Sequence, residues 1–515
     1  MKNKFLLITS FLISSIIFAQ DQEIVIKNII KEATENSNLE QLGHELLDVV
    51  GPRLVGTPEM KQANDWAVNK YKSWDISAEN QQWGEWRGWQ RGITHIDLIE
   101  PRVRTLSGMQ LAWSPDSGKK PIVAEVVILP DATDSTNFSK LLSGVKGKLV
   151  MVSMPQLTGR PDENWEEFAT DSSFAKMKEE RKIQADAWSD KMTKTGYTNR
   201  NISEALEKAG AAGIITLNWS KGFGANKIFS AATKKIPTIE LSLEDYGMVY
   251  RLAEYGDKPK IRLVAESKEL GAVPAFNTIA TIKGTEKPEE YVILSAHFDS
   301  WDGATGATDN GTGTMVMMEA MRILKKMYPN PKRTIIAGHW GSEEQGLNGS
   351  RAYVKDHPEI VNNIQAVFNQ DNGTGRVVNL SGGGFLNSYD YLGRWLEAVP
   401  STISDEIETN FPGIPGGGGS DYASFLAAGA PAFSLSSLNW SYWSYTWHTN
   451  LDTYDKIVFD DVRSNVILTA IMAYMASEDP QKTSRDKRVL PLNKRTGEQM
   501  TWPEARDANR KGGLD

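Results

Sequence analysis

The sequence predicts an α/β fold in which a mostly parallel central sheet is covered by helices, with a separate β-rich region earlier in the chain. Three observations support this. From Phe276 onward, apolar runs of strand length alternate with helical patterns, as is typical of parallel strands joined by helices. Several of these runs end in polar residues, at the position where open α/β folds bind ligands. Between Leu111 and Leu270, shorter apolar runs form a separate pattern.

The first 20 residues, MKNKFLLITSFLISSIIFAQ, are typical of a secretory signal peptide. Lys2 and Lys4 precede an apolar run that is shorter than the ~20 residues needed to span a membrane. We expect cleavage near Ala19 or Gln20, and hence a secreted or periplasmic protein with no transmembrane segment after removal of the signal. An uncleaved N-terminal anchor is the alternative.

The elements that follow divide the mature chain into segments. Residues 21–110 begin with amphipathic helical patterns, and residues 271–482 contain the predicted strands YVILSAHFD, TIIAGHWG, AVFNQD and PAFSLS. Residues 111–270 between them are strand-rich, with runs such as PIVAEVVIL, KGKLVMVSM and AAGIITLN. Residues 483–515 are rich in Lys, Arg and Pro and predict a C-terminal surface extension.

The composition excludes several classes of function. The chain has no cysteine, which excludes cysteine proteases, thiolate metal sites and thiol redox chemistry. For a secreted protein of this size, the absence of disulfides favours a bacterial envelope or extracellular protein. Histidine and carboxylate side chains remain as metal ligands, and this combination suits zinc. With 57 basic and 65 acidic residues, the net charge of −8 argues against general binding of nucleic acid.

Metal-binding and proton-accepting side chains stand at the ends of the predicted strands. Because the carboxyl ends of parallel strands meet at one edge of a sheet, we expect these side chains to lie close together. Two histidines and three carboxylates suffice for two zinc ions if one carboxylate bridges them, and two neighbouring metals can polarise a carbonyl and activate water. The residues concerned are His297, Asp299, Asp309, Glu343, Glu344, Asp371 and His448.

One carboxylate must remain free to accept the proton of the activated water. The adjacent Glu343 and Glu344 offer such a division of roles, because neighbouring side chains at a strand end point in different directions. Asp299 lies two residues beyond His297 and can accept the second N–H of its imidazole. Each motif alone is weak, since charged pairs usually cover the surface, but their order at successive strand ends favours a hydrolase.

The segments HFDSWDGATGATDNGTG, GSEEQGLNGS and HTNLDTYD, together with Asp371, resemble the co-catalytic two-zinc aminopeptidase and carboxypeptidase family. The resemblance implies two zinc ions per chain. It implies that His297 and Asp371 hold one ion, that Glu344 and His448 hold the other, and that Asp309 bridges them.

The same resemblance assigns further roles. It implies that Glu343 is the general base and that Asp299 orients His297. It implies a zinc-exopeptidase fold of the phosphorylase/hydrolase-like type for the peptidase domain, residues 21–110 and 271–482. The inserted residues 111–270 would then be a protease-associated domain that shapes the substrate cleft, and the chain would form a homodimer.

Two segments are candidates for substrate binding. Four consecutive glycines precede Ser420, Asp421 and Tyr422, where a helix N-terminus could receive a substrate carboxylate; a loop followed by an N-cap is the alternative. The aromatic segment NWSYWSYTWH ends beside His448, so Trp447 is a candidate for a pocket wall, with burial in the core as the alternative. His339 lies inside an apolar strand pattern and is predicted to be a core histidine.

The sequence therefore predicts a secreted, zinc-dependent exopeptidase that hydrolyses dipeptides or short peptides through a zinc-activated water. It leaves open whether the enzyme is an aminopeptidase, a carboxypeptidase or a dipeptidase. The complete set of predicted metal ligands argues against a catalytically silent, receptor-like binding protein on the same fold. An amidohydrolase resembling glutaminyl cyclases is opposed by the insert, which the cyclases lack.

Overall fold

The computed structural model describes residues 20–371 and 373–514. The predicted signal peptide falls on residues 1–20 and so lies almost entirely outside the described residues. Across the described ranges, every helix is too short or too polar to cross a lipid bilayer.

Sixteen α-helices, α1–α16, are present in the described residues. In chain order they span 20–35, Leu39–Gly43, Pro58–Ser73, Ser135–Leu141, Asp162–Phe168, Asp171–Thr195, Asn199–Lys208, Leu243–Glu254, Thr312–Met327, Asn348–Asp356, Pro358–Val361, Ser388–Leu396, Ser401–Ser404, Tyr422–Ala427, Tyr442–Tyr445 and Phe459–Glu478. A π-helical segment, His44–Val50, directly follows α2. The segment Ala307–Gly311 directly precedes α9 and is kinked, because Asp309 and Asn310 have non-helical backbone angles. Short 3-10 turns occupy Leu142–Val145 and Tyr454–Lys456.

Fifteen strands, β1–β15, form one sheet within the described part of the chain. In chain order they span Ser77–Glu100, Arg104–Thr105, Gly108–Gln110, Ile122–Ile128, Leu149–Met151, Gly213–Thr216, Thr238–Leu241, Lys260–Ile282, Lys287–His297, Arg333–Trp340, Ile364–Asn369, Val377–Ser381, Glu408–Asn410, Ala432–Ser437 and Lys511–Gly512.

The C-terminal half of the sheet has the predicted parallel core. Strand β9 lies between β10 and β11, β14 lies beside β11, and all four strands run parallel. The run VIL is buried on both faces: Val292 and Leu294 pack with α9 and α16, whereas Ile293 packs with Tyr353 of α10 and Phe425 of α14. This double burial explains why the strand is continuously apolar. The predicted α/β architecture is confirmed.

The inserted segment continues the same sheet. Strands β4, β5, β6 and β7 run parallel, and β3 closes the edge in the antiparallel direction. The two long strands β1 and β8 pair from Ser77 beside Thr281 to Glu100 beside Lys260 and so connect both halves. Helices α4–α8 contribute more residues than the strands, so the segment is an α/β layer, whereas a β-rich insert was predicted.

The predicted domain boundary after residue 110 differs from the packing. Ile96 and Leu98 of β1, and Leu106 after β2, are buried together with Leu149 and Ile239 of the insert. The division into two domains stays a prediction, and this packing favours a boundary inside β1.

The C-terminal segment, predicted to be a surface extension, contacts the rest of the chain. Strand β15 pairs with β1, with Lys511 beside Glu85 and Gly512 beside Trp86. The ring of Trp502 meets that of Phe385 edge-on, with 5.4 Å between centroids. The segment therefore returns across the domain and packs on it.

Candidate metal centre

The predicted ligands come together at the carboxyl edge of the parallel strands. His297 is the last residue of β9, and Asp371 follows β11 by two residues. Glu344 lies in the turn after β10, and Asp309 lies, with a non-helical backbone, in the kinked segment Ala307–Gly311 before α9. His448 follows β14 and the short helix α15.

The five side chains form two groups that share one aspartate. In the first group, His297 Nε2 lies 3.2 Å from Asp309 Oδ1 and 3.2 Å from Asp371 Oδ1. In the second, His448 Nε2 lies 3.2 Å from Asp309 Oδ2 and 2.8 Å from Glu344 Oε2. Within each group the potential ligand atoms lie within 4.8 Å of one another. Asp309 therefore presents a different oxygen to each group, as a bridging ligand would.

The charges of the two groups fit zinc. Burial alone would lower the pKa of His448, but Asp309 and Glu344 outweigh it and raise the pKa to about 9. Burial and the charge of Asp309 raise the pKa of Glu344 to about 7. Glu344 Oε1 and His448 Nδ1 are buried without a hydrogen-bond partner among the described residues. Crowded carboxylates balanced by imidazoles, with unused donor atoms, are an arrangement that a divalent cation with nitrogen and oxygen ligands stabilises.

Asp299 positions the site differently from the prediction. Its carboxylate was expected to accept the second imidazole N–H of His297, but lies 3.8 Å from His297 Nδ1. Instead, the main-chain carbonyl of Asp299 lies 3.0 Å from that nitrogen, and as acceptor it fixes the tautomer that leaves Nε2 free. The carboxylate accepts the backbone N–H groups of Glu343, at 2.9 Å, and Glu344, at 3.2 Å.

Glu343 lies beside the two groups but belongs to neither. It occupies a tight turn: Ser342 has φ 61°, and Glu343 O accepts the N–H groups of Gly346, at 2.7 Å, and Leu347, at 2.9 Å. Burial raises the pKa of Glu343 well above its usual value, and the neighbouring charge of Asp371 adds to the effect. The Glu343 side chain is therefore a buried carboxyl group held next to the candidate metal ligands.

Two positioning residues were missed by the sequence analysis. The guanidinium of Arg53 is fully buried and donates to the carbonyls of Phe298, at 2.7 Å, Thr305, at 2.7 Å, and Gly306, at 2.9 Å. It thereby ties the end of β9 to the segment that leads to Asp309. A glycine–proline break precedes Arg53 in the sequence, but nothing there indicates contact with residues about 250 positions away.

The second missed residue is Asp452. Its carboxylate accepts the backbone N–H groups of Thr308, at 2.8 Å, and Asp309, at 3.0 Å. Burial raises the pKa of Asp452 to about 7. The residue lies within the HTNLDTYD segment that carries the family resemblance, so the segment was noticed although this role was not.

An aromatic wall surrounds His448, and part of it comes from the insert. The ring of Trp447 stacks on His448, with 3.9 Å between centroids, and Phe229 meets His448 edge-on at 5.4 Å. Lys227 Nζ lies 3.7 Å from the centre of the Trp447 ring. The backbone N–H of Ile228 donates to His448 O at 2.7 Å. The insert thus reaches the metal centre through residues 227–229, which no sequence motif marked.

The other predicted substrate residues lie nearby in varied environments. Ser420 Oγ accepts a hydrogen bond from Asn369 Nδ2 at 3.0 Å, and Tyr422 Oη donates to the carbonyl of Gly418 at 3.2 Å. Asp421 is fully buried, and burial raises its pKa to about 7. Their binding of substrate stays a prediction.

His339 is a core histidine, as predicted. It is fully buried, and its Nε2 lies 2.7 Å from the hydroxyl of Tyr71. Burial lowers its pKa to about 3, so the ring is neutral.

Known proteins share this architecture. The model of peptidase family M28 matches residues 277–472. Carboxypeptidase Q of Pongo abelii is 26% identical over 455 residues, which cover 86% of each chain. The structure of a peptidase M28 precursor from Shewanella amazonensis SB2B has a TM-score of 0.65 at 22% identity and covers 92% of this chain and 99% of that one. A zinc aminopeptidase from Bacillus subtilis has a TM-score of 0.51 at 18% identity, covering 87% and 97%.

The two structural likenesses show the common fold. The family match spans every predicted ligand and the glutamate beside them, from His297 to His448. Residues 277–472 are therefore a peptidase family M28 domain, and the chain is a zinc metallo-exopeptidase homologous to carboxypeptidase Q.

Proposed function

We propose that this chain hydrolyses dipeptides or short peptides with two zinc ions and with Glu343 as general base. The observation that carries the proposal is that Asp309 faces two complete ligand groups, one oxygen to each, while Glu343 stands beside them and belongs to neither. When bound, zinc would polarise the scissile carbonyl and make water more acidic.

Each side chain of the site would then have a distinct role. His297 and Asp371 would hold one ion, Glu344 and His448 the other, and Asp309 both. A carboxylate oxygen of Glu343 would accept the proton of the attacking water and pass it to the leaving amine. Asp299 supports this role, because its hydrogen bond to the backbone of Glu343 fixes the turn that carries the base.

The shape of the site supports action at a chain end. The loop of residues 226–229 from the insert is hydrogen-bonded to residues 448–450: Asn226 N–H donates to Asn450 Oδ1 at 2.8 Å, and Asn450 N–H donates to Asn226 O at 3.0 Å. A cleft closed on one side by such a contact would admit the end of a peptide more readily than the middle of a long chain. Trp447 and Lys227 would line that cleft.

The carboxypeptidase Q relatives and the aminopeptidase fold neighbour leave the preferred end of the peptide open. The proposed substrate residues Ser420, Asp421 and Tyr422 lie beside the first ligand group, because Ser420 Oγ accepts a hydrogen bond from Asn369, two residues before Asp371. From the predicted signal peptide we also propose that this activity lies outside the cytoplasm.

The test combines metal analysis with a matched set of peptides. Dialysed protein should contain close to two zinc ions per chain and should hydrolyse a free dipeptide. N-terminal acetylation and C-terminal amidation, applied in turn, identify the required terminus: an aminopeptidase loses the first substrate, a carboxypeptidase the second, and a dipeptidase both. Zinc-loaded protein that hydrolyses none of these peptides would refute the proposal and favour the silent binding protein.

A further inference from the structure

His448 lacks the hydrogen bond that orients the other predicted histidine ligand. The main-chain carbonyl of Asp299 lies 3.0 Å from His297 Nδ1, whereas His448 Nδ1 is buried and has no hydrogen-bond partner within residues 20–371 and 373–514. His448 also has φ 57°, in the left-handed region, which is uncommon for a residue with a side chain. Contacts of another kind therefore hold the ring and the backbone of this residue.

The insert supplies contacts to the backbone around His448. The N–H of Ile228 donates to His448 O at 2.7 Å. Two residues further on, the side chain of Asn450 is bonded to the insert twice. Its Oδ1 accepts the N–H of Asn226 at 2.8 Å, and its Nδ2 donates to the carbonyl of Gly224 at 3.1 Å. The backbone on both sides of the bond between residues 448 and 449 is thus tied to the insert.

The loop that makes these contacts is itself fixed within the insert. Asn226 Nδ2 donates to the carbonyl of Leu241, at the end of β7, at 2.6 Å. The N–H of Lys227 donates to Asn218 O at 2.8 Å. The position of the loop therefore follows from the sheet of the insert, and the loop can impose that position on the segment of His448.

The same loop also contacts the side chain of His448. Phe229 meets the imidazole edge-on at 5.4 Å, and Trp447 stacks on it at 3.9 Å. Lys227 in turn contacts the Trp447 ring, with Nζ 3.7 Å from its centre. These contacts orient the ring that carries Nε2, the atom that lies 2.8 Å from Glu344 Oε2 in the second ligand group.

We propose that residues 224–229 of the insert clamp His448 in the position that the second zinc ion requires, and that Asn450 is the positioning residue that fastens this clamp. The inference rests on the proposed two-zinc function. A ligand that is held in place before the ion binds loses less conformational freedom on binding. Opening the clamp should therefore weaken the ion of the second group and spare that of the first, because His297 and Asp371 lie at the ends of strands in the parallel core.

The test measures zinc binding to the metal-free chain by competition with a coloured chelator, so it does not depend on turnover. Asn450→Ala removes both side-chain hydrogen bonds to the insert. Phe229→Leu, on the other side of the contact, removes the ring that meets the imidazole and keeps an apolar side chain. Two variants from opposite sides of the clamp distinguish a lost contact from a local fault in folding.

Gln365→Ala is the matched control. The Gln365 carboxamide is fully buried and also makes two backbone hydrogen bonds to a distant segment: its Nε2 donates to Gln481 O at 2.9 Å, and its Oε1 accepts the N–H of Thr483 at 3.1 Å. It lies near the start of β11, whereas the predicted ligands lie beyond the other ends of the strands. This variant should lower the unfolding midpoint without selective loss of one ion.

Two further backgrounds assign the affected ion. Asp371→Asn leaves the second ligand group complete, and Glu344→Gln leaves the first group complete. In the Asp371→Asn background, Asn450→Ala and Phe229→Leu should each weaken the remaining ion by ~10–100-fold, the usual effect of losing a group that orients a metal ligand. In the Glu344→Gln background, the same changes should leave the affinity of the remaining ion nearly unaltered.

Equal weakening of both ions, or of neither, in Asn450→Ala and Phe229→Leu would overturn the clamp, while two ions in the parent would still support the proposed function. A parent protein that binds fewer than two zinc ions would refute the two-zinc function and the clamp with it. A parent that binds two ions but hydrolyses no peptide would refute the peptidase activity alone, and the zinc affinities would still decide whether the insert holds His448.

Discussion

Replacing Glu343 by glutamine should separate catalysis from metal binding. The substitution keeps the size of the side chain, and the backbone N–H of residue 343 keeps its 2.9 Å hydrogen bond to Asp299. The turn and the neighbouring Glu344 should therefore stay in place. Because a carboxamide cannot accept the proton of the attacking water, we expect kcat to fall by ~10²–10⁴-fold, which corresponds to about 3–5 kcal/mol in the activation barrier. Zinc content should stay at about two ions per chain.

Glu344→Gln is the matched control, one residue along the same turn. Glu344 Oε2 lies 2.8 Å from His448 Nε2 within the second ligand group, and a neutral amide is a poor zinc ligand. This variant should lose one of the two ions. Zinc analysis after dialysis, kcat on a free dipeptide and a thermal unfolding curve are measured for both proteins.

Two results would refute this reasoning. If Glu343→Gln loses metal while Glu344→Gln keeps both ions, the roles of the two glutamates are reversed. If both variants retain full activity, neither side chain takes part and the hydrolase mechanism is wrong.

Three further predictions concern residues that support the site and the insert. Asp299→Asn leaves one acceptor for two backbone N–H groups, so zinc affinity and kcat should each fall ~10–100-fold in a zinc titration and a rate assay. Arg53→Met leaves several buried carbonyls unpaired and should destabilise the fold by ~3–5 kcal/mol, seen as a lower unfolding midpoint. Burial raises the pKa of Glu240 from 4.5 to about 8, so its carboxyl destabilises the fold increasingly as the pH rises from 4.5 to 8, by up to about 5 kcal/mol. Glu240→Gln should remove this pH-dependent loss of stability. The unfolding midpoint of the variant minus that of the parent should therefore be larger at pH 8 than at pH 4.5. An equal difference in midpoint at the two pH values would contradict the raised pKa.

The parallel core could be predicted because its signal is local. A strand such as β9 is buried on both faces, so Val292, Ile293 and Leu294 must all be apolar, and the run is visible without knowledge of its neighbours. The proximity of the candidate ligands could be predicted from the same pattern, since the carboxyl ends of parallel strands lie at one edge of the sheet. Local patterns were less informative for the insert, whose strands β5, β6 and β7 are only three or four residues long.

The predicted ligands could be found from sequence, but the contacts that orient them could not. Arg53 reaches Gly306 across 253 residues, and Lys227 of the insert meets Trp447 beside His448 across a comparable distance. Such contacts depend on the order of strands in the sheet and on where the insert packs against the rest of the chain. The spacing of apolar residues along the sequence contains no information about either. Asp299 shows the same limit at short range: the sequence indicated its proximity to His297, yet a choice between its carboxylate and its carbonyl needs the backbone geometry.

Two buried aspartates hold the backbone of the candidate site in the same way. Asp299 accepts the consecutive N–H groups of residues 343 and 344, and Asp452 accepts those of residues 308 and 309. In each case a buried aspartate holds the backbone of a predicted metal ligand, Glu344 or Asp309, and does not occupy the carboxylate of that residue. Burying both aspartates is unfavourable, as their raised pKa values indicate, and two amide hydrogen bonds to each offset only part of that cost.

The buried cation Arg53 offsets a further part of the cost of burying these aspartates, because its charge interacts with Asp452, Asp299 and Asp309 together. Burial lowers its own pKa to about 10, so it remains charged at neutral pH. The candidate metal centre therefore lies beside a fixed positive charge that the protein itself supplies. On this reasoning, the loss of Arg53 should weaken zinc binding even though its guanidinium makes its hydrogen bonds only to backbone carbonyls.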